Sequence, residues 1–246
     1  MFCINCGKEL PPKAKFCPNC GTPVATVDQI IPKLTKMTAS SENGHEWVDL
    51  GLSVKWATCN IGAKRPEDYG DFFAWGEISP KESFEWINYR FLKKKPFVTR
   101  RVLSNDLSSD YGRKLCGLLS KYTKLDGLSQ LDICDDAARF IWGGRWRMPT
   151  ESEFEELISQ CIWTWTELGG KKGYMITGQN ENSIFLPAAG YRPVISYVRP
   201  GPYGYYWASI LDKEECLARH LFFKVQVFNL ARYPRKSGLS VRPVIE

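Results

Sequence analysis

Histidine is nearly missing from this sequence: His45 and His220 are the only two in 246 residues, and no cysteine sits beside either. No constellation of nucleophile, base and orienting group emerges around them, and the expectation is a protein that is not an enzyme. Long apolar runs are missing too, since nothing approaches the ~20 consecutive apolar residues that cross a bilayer. The first residues, Met1-Phe2-Cys3-Ile4-Asn5-Cys6, lack the charged start and apolar stretch of a secretory signal. A large charge of one sign is also lacking, because 33 basic and 27 acidic residues leave only +6. Arg90, Lys93, Lys94, Lys95, Arg100 and Arg101 lie in a stretch, 90–101, with no acid in it. Such a run can meet nucleic acid or an acidic partner, although a solvated loop explains it more simply.

What is present in excess is aromatic and sulfur-bearing. Aromatic residues make up 13% of the chain, and all nine tryptophans fall between Trp47 and Trp207. Each large ring buries much area, so the main core is expected there. Of nine cysteines, Cys59, Cys116, Cys134, Cys161 and Cys216 are scattered and odd in number. That pattern suits buried thiols of a reduced compartment, and the expectation is a cytoplasmic protein.

The other four cysteines are ordered as Cys3-x-x-Cys6, ten residues, Cys17-x-x-Cys20, each pair followed by glycine, Gly7 or Gly21. Two residues between thiolates let a tight turn aim both sulfurs at one tetrahedral ion. The glycine can take the positive φ needed where the chain leaves the metal. Cys3, Cys6, Cys17 and Cys20 are therefore the expected ligands of a structural Zn2+, with no open position for catalysis. A segment this short cannot bury a core, so its folding energy must come from the metal. Residues 1–24 resemble the short zinc-ribbon modules at the start of many bacterial proteins. Residues 25–44 read as a polar linker with a helical turn near Ile30–Met37.

From 45 to 246 the texture is of short apolar segments broken by Gly, Pro and Asn. A helix is expected over Asp132–Trp142, with Ile133, Ala137, Phe140 and Ile141 along one face. A second begins at Thr150-Glu151-Ser152-Glu153, a capping box, and carries Phe154, Leu157, Ile158 and Cys161 as its stripe. Strands are expected at Trp47–Leu50, Tyr174–Thr177, Ser183–Leu186, Tyr205–Ser209, Leu221–Val227 and Leu239–Val244. Few helices and many short strands indicate an α+β domain with its function in loops.

Several motifs then occur in order: Trp47-Val-Asp-Leu-Gly-Leu52, Tyr69-Gly-Asp-Phe-Phe-Ala-Trp-Gly-Glu77, Trp142-Gly-Gly-Arg-Trp-Arg-Met-Pro-Thr150, Asn182-Ser-Ile-Phe-Leu-Pro-Ala-Ala-Gly-Tyr191, Gly204-Tyr-Tyr-Trp207 and Ser240-Val-Arg-Pro-Val244. Together they resemble the Fibrobacter succinogenes major paralogous domain, common in gut Bacteroidetes, over nearly all of 46–246. The resemblance implies a C-type-lectin-like fold related to formylglycine-generating enzymes, and no defined biochemical role.

A calcium-dependent sugar site is not supported, for no Glu-Pro-Asn signature is found. A metal-independent carbohydrate site on Tyr205, Tyr206 and Trp207 stands as an alternative to a core role for these rings. Some relatives are variable proteins of diversity-generating retroelements, in which the C-terminal segment is rewritten. Family members usually carry Ser, Asn, Tyr and Gly between Tyr-Tyr-Trp and Ser-Val-Arg-Pro-Val. Here that interval holds Ile210, Leu211, Arg219, His220, Phe222, Phe228, Arg232, Tyr233 and Arg235, a composition that binding hot spots favour. These nine are the expected contacts for a protein or glycan ligand, displayed on 203–239. A nucleic-acid partner using the ribbon and the basic run is the second choice, and no membrane span is expected.

Overall fold

The computed structural model describes residues 8–11, 14–21, 40–93, 117–192 and 200–246. The expected helical turn near Ile30–Met37, and most of the basic run, lie outside them.

Local sequence explains the two α-helices found among the described residues. Helix α1 is Ala137–Trp142 and helix α2 is Glu151–Gln160. The capping box forms as expected: Thr150 Oγ1 accepts from the Glu153 amide at 3.3 Å, and Glu153 Oε2 accepts from the Thr150 amide at 2.8 Å. Phe154 and Leu157 are buried beneath α2, while Ile158 and Cys161 sit half-buried beside them.

The first helix differs from the expected Asp132–Trp142 span. Ile133–Asp135 is a separate 3-10 turn, and the chain is extended at Asp136 before α1 starts. Asp136 causes the break: one carboxylate oxygen accepts from the Arg139 amide at 3.0 Å, the other from the Met148 amide at 2.8 Å. An aspartate placed this way caps a new helix rather than continuing an old one. The helix face is rotated in consequence. Ala137, Ala138 and Trp142 point inward, whereas Ile133 and Phe140 are 70% and 61% exposed and Ile141 is exposed as well.

Among the described residues, ten strands form three antiparallel sheets. The first joins β1 (Ser40–Glu42), β2 (His45–Val48), β3 (Lys55–Ala57) and β10 (Val244–Ile245) in that order. Strand β1 thus takes in residues 40–42 of the segment expected to be linker. The second sheet is β4 (Ile162–Leu168), β5 (Lys171–Thr177) and β6 (Ser183–Pro187); the third is β7 (Gly204–Leu211), β8 (Leu217–Lys224) and β9 (Val227–Pro234).

Two strand expectations need correcting. Leu221–Val227 is not one strand, because Val225-Gln226 turns the chain between β8 and β9 and Gln226 takes φ +60°. Leu239–Val244 makes only isolated bridges, Leu239 to Phe73 and Ser240 to Tyr206, before the short β10. Pro243 cannot donate to a ladder. Arg242 before it is fully buried, giving its guanidinium to Asn60 Oδ1, Ala57 O and Phe185 O, each at 2.9 Å.

The third sheet separates two cores. Side chains alternate along a strand, so Tyr206, Ala208, Leu221 and Phe223 enter one core with Trp56, Phe154 and Trp163. Trp207 and Ala218 enter the other with Trp75, Trp86 and Trp146. Gly204 faces Phe223 across the ladder, and a Cβ there would overlap the phenyl ring.

Cysteine chemistry also departs from expectation. Cys59, Cys134 and Cys161 are free thiols, but Cys216 is disulfide-bonded, so the scattered cysteines are not all reduced. Its pairing depends on tertiary proximity, which spacing along the chain does not carry.

Candidate ligand face and metal ribbon

The third sheet takes the nine expected contact residues apart. Ladder rows Tyr205–Phe222–Asn229, Trp207–His220–Ala231 and Leu211–Ala218–Tyr233 define one face. Leu211, His220, Phe222 and Tyr233 are on it. Arg219, Phe228 and Arg232 project from the opposite face, and Ile210 sits in the irregular stretch of β7 between Trp207 and Leu211.

Each displaced residue has a local job. Phe228 stacks on Trp163 at 4.7 Å and 16°, so it closes the second core. Arg219 pairs with Glu151 at the start of α2 and with Asp212 at 3.3 Å. Arg232 is exposed and pairs with Glu214 at 2.8 Å.

Two of the nine are withdrawn as surface contacts, because they are buried. Arg235 is 0% exposed and enclosed by rings, its guanidinium carbon 4.9 Å from the Trp75 centroid, 5.4 Å from Tyr89 and 5.7 Å from Tyr122. It donates to Tyr89 Oη at 2.9 Å, Tyr122 O at 3.0 Å, Glu215 O at 2.9 Å and Lys121 O at 3.1 Å. A buried charge needs such compensation. His220 is 2% exposed, with Tyr205 stacked over it at 5.6 Å and Tyr233 edge-on at 5.7 Å. Its Nδ1 is buried without a hydrogen-bond partner.

What the first face does present is a set of half-buried rings. Phe222 lies 5.1 Å from Tyr205 and 6.1 Å from Tyr203; Tyr205 lies 4.9 Å from Tyr191; Tyr233 lies 5.5 Å from Tyr191. Tyr191 and Tyr203 were not among the expected contacts, and Tyr205 was named only for the alternative sugar site. The period-two spacing of Tyr203, Tyr205 and Trp207 was the signal that places them on the same side as Phe222. Trp207 and Tyr206, the other members of the expected sugar site, are fully buried.

Burial, reinforced by the nearby Arg219 charge, pushes the His220 imidazole down to about 3. An unfolded histidine binds its proton near pH 6.5. The unfolded chain therefore takes up a proton between about 6.5 and 3 that the folded chain refuses. Stability from this group is fully present above 6.5 and falls by about 1.4 kcal/mol per pH unit below it. Denaturant titrations at pH 7, 6, 5 and 4 should show this slope, and His220→Leu should flatten it. An unchanged slope in the variant would assign it to other groups.

A second cluster brings together side chains of metal-ligand type. Ligand atoms of Asp132, Cys134 and Asp135 lie within 4.8 Å of one another. Lys121 Nζ already contacts both carboxylates, at 2.6 Å from Asp135, and Arg90 lies 2.9 Å from Asp135. The place and the charge of a cation are thus taken by side chains. The adjoining shallow cavity of about 630 Å³ is lined by Asp132, Ile133, Cys134, Arg139 and Phe140.

In the N-terminal segment the second knuckle is visible. The Gly21 amide donates to Cys17 O at 2.9 Å, and Gly21 has φ +71°. Cys17 is buried against Leu10 and Ala14, and Cys20 is exposed. This is the tight turn that two thiolate ligands of one ion require. Cys3 and Cys6 lie outside the described residues. Residues 2–24 match the zinc-ribbon domain family, so this segment is a zinc ribbon whose soft thiolate donors suit a structural zinc ion. Comparison of the chain with curated proteins and with solved structures gave no match. Among the described residues, no helix is long and apolar enough to cross a membrane.

Proposed function

We propose that the protein is a non-enzymatic ligand-binding protein, in which a zinc-stabilised ribbon precedes a domain that binds through the aromatic face of its third sheet. The observation that carries this reading is the group of five half-buried rings, Tyr191, Tyr203, Tyr205, Phe222 and Tyr233, touching one another around His220. Tyrosine offers large contact area and a hydroxyl at little entropic cost, which suits protein and glycan ligands alike.

The motif resemblance to the Fibrobacter succinogenes major paralogous domain supports the same reading, with a C-type-lectin-like fold displaying its C-terminal strands. A fixed ligand suits this chain better than a rewritten surface. His220 and Arg235 stand at interspersed positions of the kind a retroelement would alter, yet both are buried. Free substitution there would leave polar groups orphaned.

The test is a parallel screen of a glycan array and a random-peptide display library with the full chain and with Phe222→Ser/Tyr203→Ser. Both rings are only half-buried, so the variant should keep its melting temperature within a few degrees. The reading predicts hits for the native chain that fall at least tenfold in the variant. Hits of equal strength in both, or none in either library, would remove it.

A further inference from the structure

We infer, given that the aromatic face of the third sheet is the ligand face as proposed, that its ligand is a glycan ending in a carboxylate-bearing sugar, laid on Tyr205 and Phe222 with the carboxylate on Lys224. Lys224 belongs to this face because residues two apart on a strand share a side, and Phe222 is on it. Its partner across the ladder is Val227, at the turn end of the β8–β9 hairpin. Lys224 is exposed, and among the described residues its ammonium forms no ion pair.

The charge on the face is of one sign. The rows Lys224–Val227, Tyr205–Phe222–Asn229, Trp207–His220–Ala231 and Leu211–Ala218–Tyr233 contain no carboxylate. Asp212 and Glu214, the acids beyond the far end, are already paired with Arg219 and Arg232. An exposed ammonium without a counter-ion beside apolar rings favours a ligand that brings one. One cation at one end selects one anionic group at one end. A single-stranded nucleic acid would need a basic track along its phosphates, and these rows hold a single lysine.

The rings select the shape of the ligand. Centroid separations are 4.9 Å for Tyr191–Tyr205, 5.1 Å for Tyr205–Phe222, 5.5 Å for Tyr191–Tyr233 and 5.7 Å for Tyr205–Tyr233. Rings this close touch one another, so no side chain enters between them, whereas peptide anchors act by filling pockets. The ligand has to lie flat on the rings. A pyranose does so: its C–H face meets the electron-rich face of the ring. Its rim hydroxyls then reach the side-chain amide of exposed Asn229, which opposes Phe222 across the ladder. Lys224 stands about 7 Å beyond Phe222 along β8, a gap that the lysine stem and a carboxylate at the sugar's edge close together.

The experiment titrates the zinc-loaded full chain with uronate- and sialate-terminated oligosaccharides, each beside its carboxyl-reduced neutral form. Oligoglutamate and oligothymidylate serve as anions of other classes. At least one acidic glycan should bind at least tenfold more tightly than its reduced form and than either other anion. Lys224→Gln, an exposed change that spares the fold, should erase that preference. Phe222→Ser/Tyr203→Ser should lower binding of both glycan forms at least tenfold. No binding to any acidic glycan, equal affinity for the reduced form, or a preference that survives Lys224→Gln would overturn the inference. So would binding to oligoglutamate or oligothymidylate alone, and the aromatic face would remain the ligand face if the ring variant still lost that binding. Undiminished binding by the ring variant would instead remove the face itself as the binding surface.

Discussion

Arg235→Met is expected to destabilise the main domain by about 3–5 kcal/mol, the cost of leaving several buried acceptors without their donor. The methionine would occupy a similar volume among Trp75, Tyr89, Phe91 and Tyr122. It would leave the carbonyls of Lys121, Tyr122 and Glu215 without their donor. Each buried orphan carries a penalty of about 1–3 kcal/mol. The lost cation–ring contact adds about 2 kcal/mol at a dry site. Lysine should rescue little, since an ammonium on a flexible stem cannot reach acceptors spread along a planar fork. Urea denaturation midpoints measure this directly. A loss below about 1 kcal/mol in the methionine variant would mean that these carbonyls find water or other donors.

Zinc removal is expected to have an equally large effect confined to the other end of the chain. Binding free energies of about 10–16 kcal/mol are typical when a structural zinc folds a small peptide unit. The apolar contacts of the described ribbon are Leu10, Cys17 and Ala14, too few to hold it otherwise. Chelation, or Cys17→Ser, should release about one zinc per chain and erase amide protection at Gly21, whose donor contact to Cys17 O closes the knuckle. The melting temperature of the main domain should stay in place. Retained protection at Gly21 after complete chelation would show that the ribbon folds on its own.

Local chemistry was readable where a few adjacent residues decide the outcome. Thr150 and Glu153 satisfy each other's amides within one turn, and the Cys17–Gly21 knuckle needs only its own sequence. Reading failed where distant segments decide. The stripe of Ile133, Phe140 and Ile141 is sound periodicity, but Asp136 is held by the Met148 amide from another segment and restarts the helix. Strand β9 was missed because its alternation is weak: Leu230 is followed by Ala231, Arg232 and Tyr233, with no clean apolar phase. Arg235 and His220 looked like surface residues because arginine and histidine usually are. Their burial depends on carbonyls and rings contributed by residues 75, 89, 121, 122, 205 and 215.

The first sheet has its own implication for synthesis. β10 pairs with β3 through Val244–Trp56 and Ile245–Lys55, and Arg242 is anchored on Ala57. The edge made early in translation thus waits for residues nearly two hundred positions later, a closure whose entropy must be met before any reward arrives. Until residues 242–245 clear the ribosome, Trp56 lacks its neighbour Val244. The nascent domain should therefore engage holding chaperones until residues 242–245 have emerged.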